Sequence, residues 1–374
     1  MLAGCRSCQV SVLSETISKR MKRTLKFRAG EWAEVRSEEE ILSTLDQGAR
    51  LDGLPFMPQM LQYCGKRLQV LKRAHKTCDT VFPVRGRRMS NAVHLDVRCD
   101  GEAYGGCQAG CLIFWKTAWL KRVDGECGGR KAPGSAGTAQ GVRSKASGGC
   151  TEQDVWAGIH RSGGVNEEQL AFICQATQIP YATTDLNWWD VRQYIEDYTS
   201  ENASLARMVR GFLYMGCHKL ANAGIGVGAI LRWLYDRGQR LWGGIPYPRR
   251  YGSIPLGAKT PGGELGLQPG ELVRVKSYDA ILATLDQCNK NRGLYFDAEM
   301  VPFCGRTYRV LQRVTRIVDE KTGKLLEFKN PCIILEGVAC ESRYSECRLF
   351  CPRSIYSYWR EIWLERVGEK RVEG

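Results

Sequence analysis

The strongest constraint on this fold is that the chain contains one stretch of itself twice. Laid without a gap on residues 270–313, residues 30–73 are identical at roughly 19 of 44 positions, far above chance similarity. The two starts read GEWAEVRSEEEILSTLDQ and GELVRVKSYDAILATLDQ. Further on, Gly53, Leu54, Phe56, Met60, Cys64 and Gly65 recur as Gly293, Leu294, Phe296, Met300, Cys304 and Gly305. One module therefore occurs twice, and the 374 residues, too many for a single core of roughly 100 to 150 residues, divide around it.

That division predicts a disordered leader over 1–29, a first module over 30–123 and a flexible linker rich in Gly, Ser, Ala and Lys over 124–149. A mostly helical middle segment follows over 150–242, then a Gly/Pro-rich linker over 243–269 and the second module over 270–367. Met21 is an alternative start. Leu2, Ala3, Gly4 and Cys5 mimic a lipobox, but too few residues precede Cys5 for the apolar stretch of roughly 7 to 15 residues that a signal needs.

Inside each module the apolar spacing changes period. A short alternating run, Trp32 to Val35 or Leu272 to Val275, suits a strand buried on one face. Ser37 or Ser277 then reads as a helix N-cap, with Glu40 completing a capping box in the first copy only. A second strand begins near Leu68 or Tyr308. In the second copy it runs through Val310, Val314 and Ile317 to a turn at Lys321, Thr322 and Gly323, then returns through Leu325 to Phe328. Small twisted strands of this kind predict an α+β protein with two SH3-like small-barrel modules. Trp115, Trp119, Leu120 and Val123, matched by Trp359, Trp363, Leu364 and Val367, have the spacing of one helical stripe and predict a C-terminal helix closing each module.

The cysteines carry the chemistry. There are seventeen, an odd number, which excludes complete intramolecular pairing. Without an export signal, reduced thiols or metal ligands are expected rather than a disulfide framework. Cys99, Cys107 and Cys111 stand as Cys-x7-Cys-x3-Cys, and Cys340, Cys347 and Cys351 as Cys-x6-Cys-x3-Cys. With Cys64 and Cys304, each copy has four cysteines, the set a tetrahedral structural zinc uses, which predicts about two zinc ions per chain. Cys78 or His94 is an alternative to Cys64, and Cys332 to Cys304. An iron–sulfur cluster also takes four cysteines, and buried core thiols would need no metal at all. Pro352 after Cys351 suits a first helical turn, which would set the last ligands at a helix entrance where thiolate is favoured. Cys127, Cys150, Cys174, Cys217 and Cys288 have no counterparts in the other copy; Cys174, before Gln175, Ala176 and Thr177, reads as core, ligand or nucleophile.

With 54 Lys plus Arg against 40 Asp plus Glu the net charge is +14, which biases the chain toward polyanions or an anionic membrane face and also serves solubility. Arg85, Arg87 and Arg88, read as a loop with Gly86, are the candidate nucleic-acid contacts; the alternative is a solvated rim. The longest nearly apolar run, 220–231, falls well short of the roughly 20 residues a membrane-spanning helix needs, so no transmembrane segment is expected. Residues 204–242 form a basic amphipathic stretch that either touches a membrane surface peripherally or packs on the modules. No phosphate-cradling loop, dinucleotide fingerprint or His-Glu-x-x-His helix is present.

These features predict a non-enzymatic, zinc-stabilised binding or scaffold protein with a protein partner. The alternatives are a cysteine-dependent redox or iron–sulfur enzyme and a nucleic-acid-binding protein. Through its YCG, GGCQAGC, CQAT and WREIWLERV stretches, the chain resembles a family of bacterial tandem-repeat, cysteine-rich proteins with no known activity, over 30–123 and again over 270–367. The resemblance implies a bacterial, cytoplasmic protein.

Overall fold

The computed structural model describes residues 26–82, 85–123, 149–161, 171–241 and 243–368. The leader before residue 26, the linker over 124–148 with Cys127, and Trp242 lie outside the described residues. The protein is a mixed α+β structure.

In the first module β1 (Trp32–Val35) buries Ala33 and Val35 and leaves Trp32 outside, as its alternation predicts. Ser37 caps α1 (Glu38–Leu42): its hydroxyl accepts from the Glu40 N–H while the Glu40 carboxylate accepts from the Ser37 N–H at 3.0 Å. A tight hairpin joins β2 (Arg50–Leu51) to β3 (Leu54–Pro55) through Asp52 and Gly53, both at positive φ as such a turn requires. Next come β4 (Arg67–Arg73), β5 (Lys76–Cys78), β6 (Gly86–Met89), β7 (Ala92–Arg98), β8 (Leu112–Lys116) and β9 (Leu120–Arg122). Five of these form an antiparallel sheet in the order β8-β7-β4-β1-β9.

The middle segment contains α2 (Glu152–Ala157), α3 (Gln175–Ala182), β10 (Thr183–Leu186), α4 (Arg192–Thr199), α5 (Leu205–Ala221) and α6 (Gly228–Leu241). It is mostly helical, but β10 pairs with β6 to give a separate three-stranded sheet, β10-β6-β5. The basic stretch over 204–242 is two helices, broken where Gly224 and Gly226 take positive φ. Among the described residues no helix is long and apolar enough to cross a membrane.

The second module has β11 (Leu272–Val275), α7 (Tyr278–Leu282), β12 (Lys290–Asn291), β13 (Leu294–Tyr295), β14 (Thr307–Val318), β15 (Leu325–Ala339), β16 (Tyr356–Trp359) and β17 (Leu364–Arg366). Its sheet order, β16-β15-β14-β11-β17, is that of the first module. The hairpin expected after Val310 is present, closed at Asp319 and Gly323. Equivalent residues make equivalent contacts. Phe56 meets Trp119 edge-on at 5.2 Å, and Phe296 meets Trp363 at 5.3 Å. The Trp119 indole donates to Thr44 Oγ1 at 3.1 Å and the Trp363 indole to Thr284 Oγ1 at 2.9 Å.

The closing helices are not there. Trp115 lies on β8, residues Thr117–Trp119 make one 3-10 turn, and Leu120 opens β9; Trp359, Glu361–Trp363 and Leu364 repeat the arrangement. A strand, a single turn and a second strand also bring two residues four apart to one core, and all four tryptophans are fully buried. Val367, on the supposed stripe, is 47% exposed. Leu112, Ile113, Phe114 and Trp115 are the residues a pleated surface favours, and pairing with β7 decides their conformation. No helix follows Pro352, so no helix dipole acts on Cys351. The 243–269 connection is extended rather than loose: Leu267 and Tyr247 are buried, and Asn289 holds the Gly252 N–H and Arg250 carbonyl. Phe27 belongs to the first core, which thus begins before residue 30.

Candidate metal centre

Three segments meet at the Cys-Gln-Ala-Gly-Cys loop after β7. The β14–β15 hairpin of the second module crosses to it and is held by Gln108, whose carbonyl accepts from Gln312 Nε2 at 2.8 Å and whose Oε1 accepts from the Thr315 N–H at 2.7 Å. Beyond that clasp Val318 enters the first core, and its N–H donates to Cys107 Sγ at 3.2 Å. From the middle segment, Gln175 docks as if it were a short strand: its Oε1 accepts from the Phe114 N–H and its Nε2 donates to the Phe114 carbonyl, both at 2.8 Å. This docking brings Cys174, the N-cap of α3, to the start of β8.

The result is a cavity of about 30 Å3 lined by Cys99, Cys107, Cys111 and Cys174, with Tyr104 and Arg353 at its walls. Cys99 and Cys111 are tied by a backbone bond from the Cys99 N–H to the Cys111 carbonyl at 2.9 Å. Gly101 is required for the loop to close: it takes φ +77, and a Cβ there would stand 1.8 Å from the Cys107 carbonyl oxygen. Gln59 Nε2 donates to Cys99 Sγ at 3.0 Å, and the Cys174 sulfur accepts from the first-turn backbone of α3. Burial pushes the Cys99 thiol up to about 12 and Cys174 up to about 11, and raises Cys111 well above its ordinary value, with the Arg353 charge opposing the last shift. On their own these thiols stay protonated; a bound cation would reverse that preference.

The spacing did not foresee this set. Cys64, expected as the fourth ligand, caps the 3-10 helix Pro58–Tyr63 and does not line the cavity; its thiol is raised to about 11 by burial, then by Glu38. Cys174 lines the cavity instead. The only sequence signal for Cys174 is its N-cap position before Gln175, Ala176 and Thr177, since it has no counterpart in the repeat. His94, the other alternative, is fully buried with Nδ1 2.9 Å from the Ile113 carbonyl, and burial lowers it to about 3. Among the described residues, no three His, Cys, Asp or Glu side chains stand close enough together to hold a single ion.

The second set is arranged differently. Cys340 matches Cys99, but its N–H donates to the Ile355 carbonyl, so Ile355, and not Cys351, stands where Cys111 does. Four extra residues before β16 displace Cys351, which is buried against Cys78 on β5 of the first module. The hydrogen bond from Cys351, with the Arg353 and Arg348 charges, lowers the Cys78 pKa despite burial. Arg353 Nη1 also donates to the Cys78 carbonyl at 3.3 Å. The Cys347 carbonyl packs on Gly86, the cross-strand partner of Cys78. Cys304 is apart from these thiols, its Sγ facing the Met300 carbonyl, and Cys332 lies in an apolar cluster with Val314 and Ile334.

The arginines expected in a loop stand at and on β6, and each meets a carboxylate. Arg85 pairs with Asp185, Arg87 with Asp185 and Asp79, and Arg88 with Asp190 and Glu196. They bind the middle segment to the first module. No family model matches the chain, and no curated protein or solved structure matches it.

Proposed function

We propose that the protein is a non-enzymatic, metal-stabilised scaffold in which thiolates at the junction of its segments hold two SH3-like modules together. The carrying observation is the convergence of Cys99, Cys107, Cys111 and Cys174 on one cavity where both modules and the middle segment meet. A metal there would add its binding energy to the docking of all three. The SH3-like reading draws on the antiparallel order, with the first strand between the second and the last, and on the 3-10 turn between the final two strands. A protein partner would cover the exposed apolar side chains of α5 and α6, among them Leu213 and Trp233. Elemental analysis of freshly purified protein tests the reading: metal should be present, and Cys107→Ser should remove it from the first module. Folded protein free of any metal would sink it.

A second reading, nucleic-acid binding, now draws on a different place. Arg207 and Arg210 on α5 face Arg306 and Arg343 of the second module across a cleft of about 910 Å3 that also contains Tyr214 and Tyr344. Arg207 and Arg343 share Glu341, which leaves Arg210 and Arg306 as the cations to test. Single-strand affinity should fall steeply with salt, and the Arg210→Ala, Arg306→Ala double variant should bind more weakly with a shallower salt slope.

A further inference from the structure

We propose that the cavity at the module junction holds an iron–sulfur cluster ligated by Cys99, Cys107, Cys111 and, from the middle segment, Cys174. This rests on the metal-stabilised reading above and gives its chemical class. The first ground is size. Four thiolates on one zinc, each at about 2.3 Å, stand about 3.8 Å from one another and leave no space between them. Here the four cysteines instead line an open cavity of about 30 Å3. A cofactor with several atoms of its own satisfies such a set, and iron–sulfur clusters are the ones held by four cysteine thiolates.

The second ground is hydrogen bonding. Three of the four sulfurs already accept from the protein: Cys99 from the Gln59 amide, Cys107 from the Val318 N–H, and Cys174 from the α3 backbone. Each donor comes from a different part of the fold. N–H donors aimed at sulfur do little for a neutral thiol but stabilise thiolates and tune a cluster's potential. Arg353 adds a buried cation at the wall, held by Glu320 at 2.7 Å. The cluster would couple the second-module hairpin and the middle segment to the first module, because Cys107 carries the hairpin contact and Cys174 begins α3.

The test uses the full chain purified without oxygen. Iron and acid-labile sulfide in near-equal amounts, with broad visible absorption, are expected in the native protein. Cys174→Ser should lose most of both, as Cys107→Ser should, while Cys64→Ser keeps them. Should the Cys174 variant fail to fold, alkylation of the native chain decides: Cys99, Cys107, Cys111 and Cys174 should be protected together and released together when iron is stripped. Colourless protein with zinc would overturn the cluster and leave the metal-stabilised scaffold standing; no metal would overturn both. Iron that survives Cys174→Ser, or a Cys174 alkylated independently of the other three, would overturn the ligand assignment.

Discussion

The two modules use one connection in opposite ways. Between the second and third sheet strands, the first module makes an excursion, β5 and β6, which leaves its own sheet and pairs with β10 of the middle segment. The second module lets β14 and β15 run on as a long hairpin. Each then reaches the other's cysteine loop. The hairpin delivers Val318 to Cys107, while β5 delivers Cys78 to Cys351 and Lys76 to the Leu349 carbonyl at 2.7 Å. A duplicated fold has thus become a reciprocal clasp whose halves are chemically unlike: an open four-cysteine cavity on one side, a buried thiol pair beside Arg353 on the other.

The largest effect should come from the β5 side of the clasp. Lys76 and Asp197 are almost fully buried, 2.5 Å apart, and Asp197 also faces His75 at 3.3 Å. Burial lowers the Lys76 pKa while the Asp197 charge opposes that shift. Removing one partner of such a pair leaves an uncompensated charge, at about 3–5 kcal/mol. Asp197→Ala should therefore destabilise the protein by that order in urea unfolding, and Lys76→Met with Asp197→Leu should recover much of the loss. An Asp197→Ala loss under about 1 kcal/mol would mean that this arm carries little of the docking.

An intermediate effect tests the sameness of the modules instead. Thr44 and Thr284 occupy one position of the repeat and receive the same indole N–H from Trp119 and Trp363. Thr44→Val and Thr284→Val should each cost about 1–3 kcal/mol, because a buried donor is left without an acceptor. The two losses should agree. A clear inequality would show that one copy tolerates what the other does not, and would break the correspondence at its best-matched contact.

What was legible in the sequence was local. Alternation marked β1 and β11, Ser37 and Ser277 marked the caps of α1 and α7, and the Lys321, Thr322, Gly323 turn marked the long hairpin, because each depends on neighbours a few residues away. The paired tryptophans misled because a four-residue spacing serves a helix and a strand-turn-strand equally; only the partner strand, β7 in the first copy and β15 in the second, decides. The cysteine site was half legible. Its triplet shows as spacing, but the fourth thiol comes from a segment that the repeat does not contain, and its approach depends on Gln175 finding the Phe114 backbone. The offset of Cys351 was hidden for a related reason: four extra residues preserve the Cys-x3-Cys spacing while shifting the cysteine off its backbone register.

The smallest effect sharpens the comparison at the first helix. Both copies have the serine cap, but position 40 is Glu in the first and its counterpart, 280, is Ala in the second. Glu40 also bonds Lys121 at 2.8 Å and Arg36 at 3.0 Å, and the Lys121 hydrogen bond chiefly lowers its carboxyl to about 2. A carboxyl with a depressed folded pKa stabilises fully above its unfolded value, and that contribution is lost as pH falls from about 4.5 towards 2. The group is partly exposed, so screening keeps its worth near 0.5 kcal/mol. Glu40→Gln should therefore lower stability slightly at neutral pH and leave it unchanged well below pH 2, whereas Ala280→Glu should add a similar increment to the second module by completing its capping box. Loss of the Glu40 effect at pH 7 in high salt, with the Ala280→Glu gain retained, would assign the first to its ion pairs and the second to the cap, separating two contributions that the first module superimposes on one side chain.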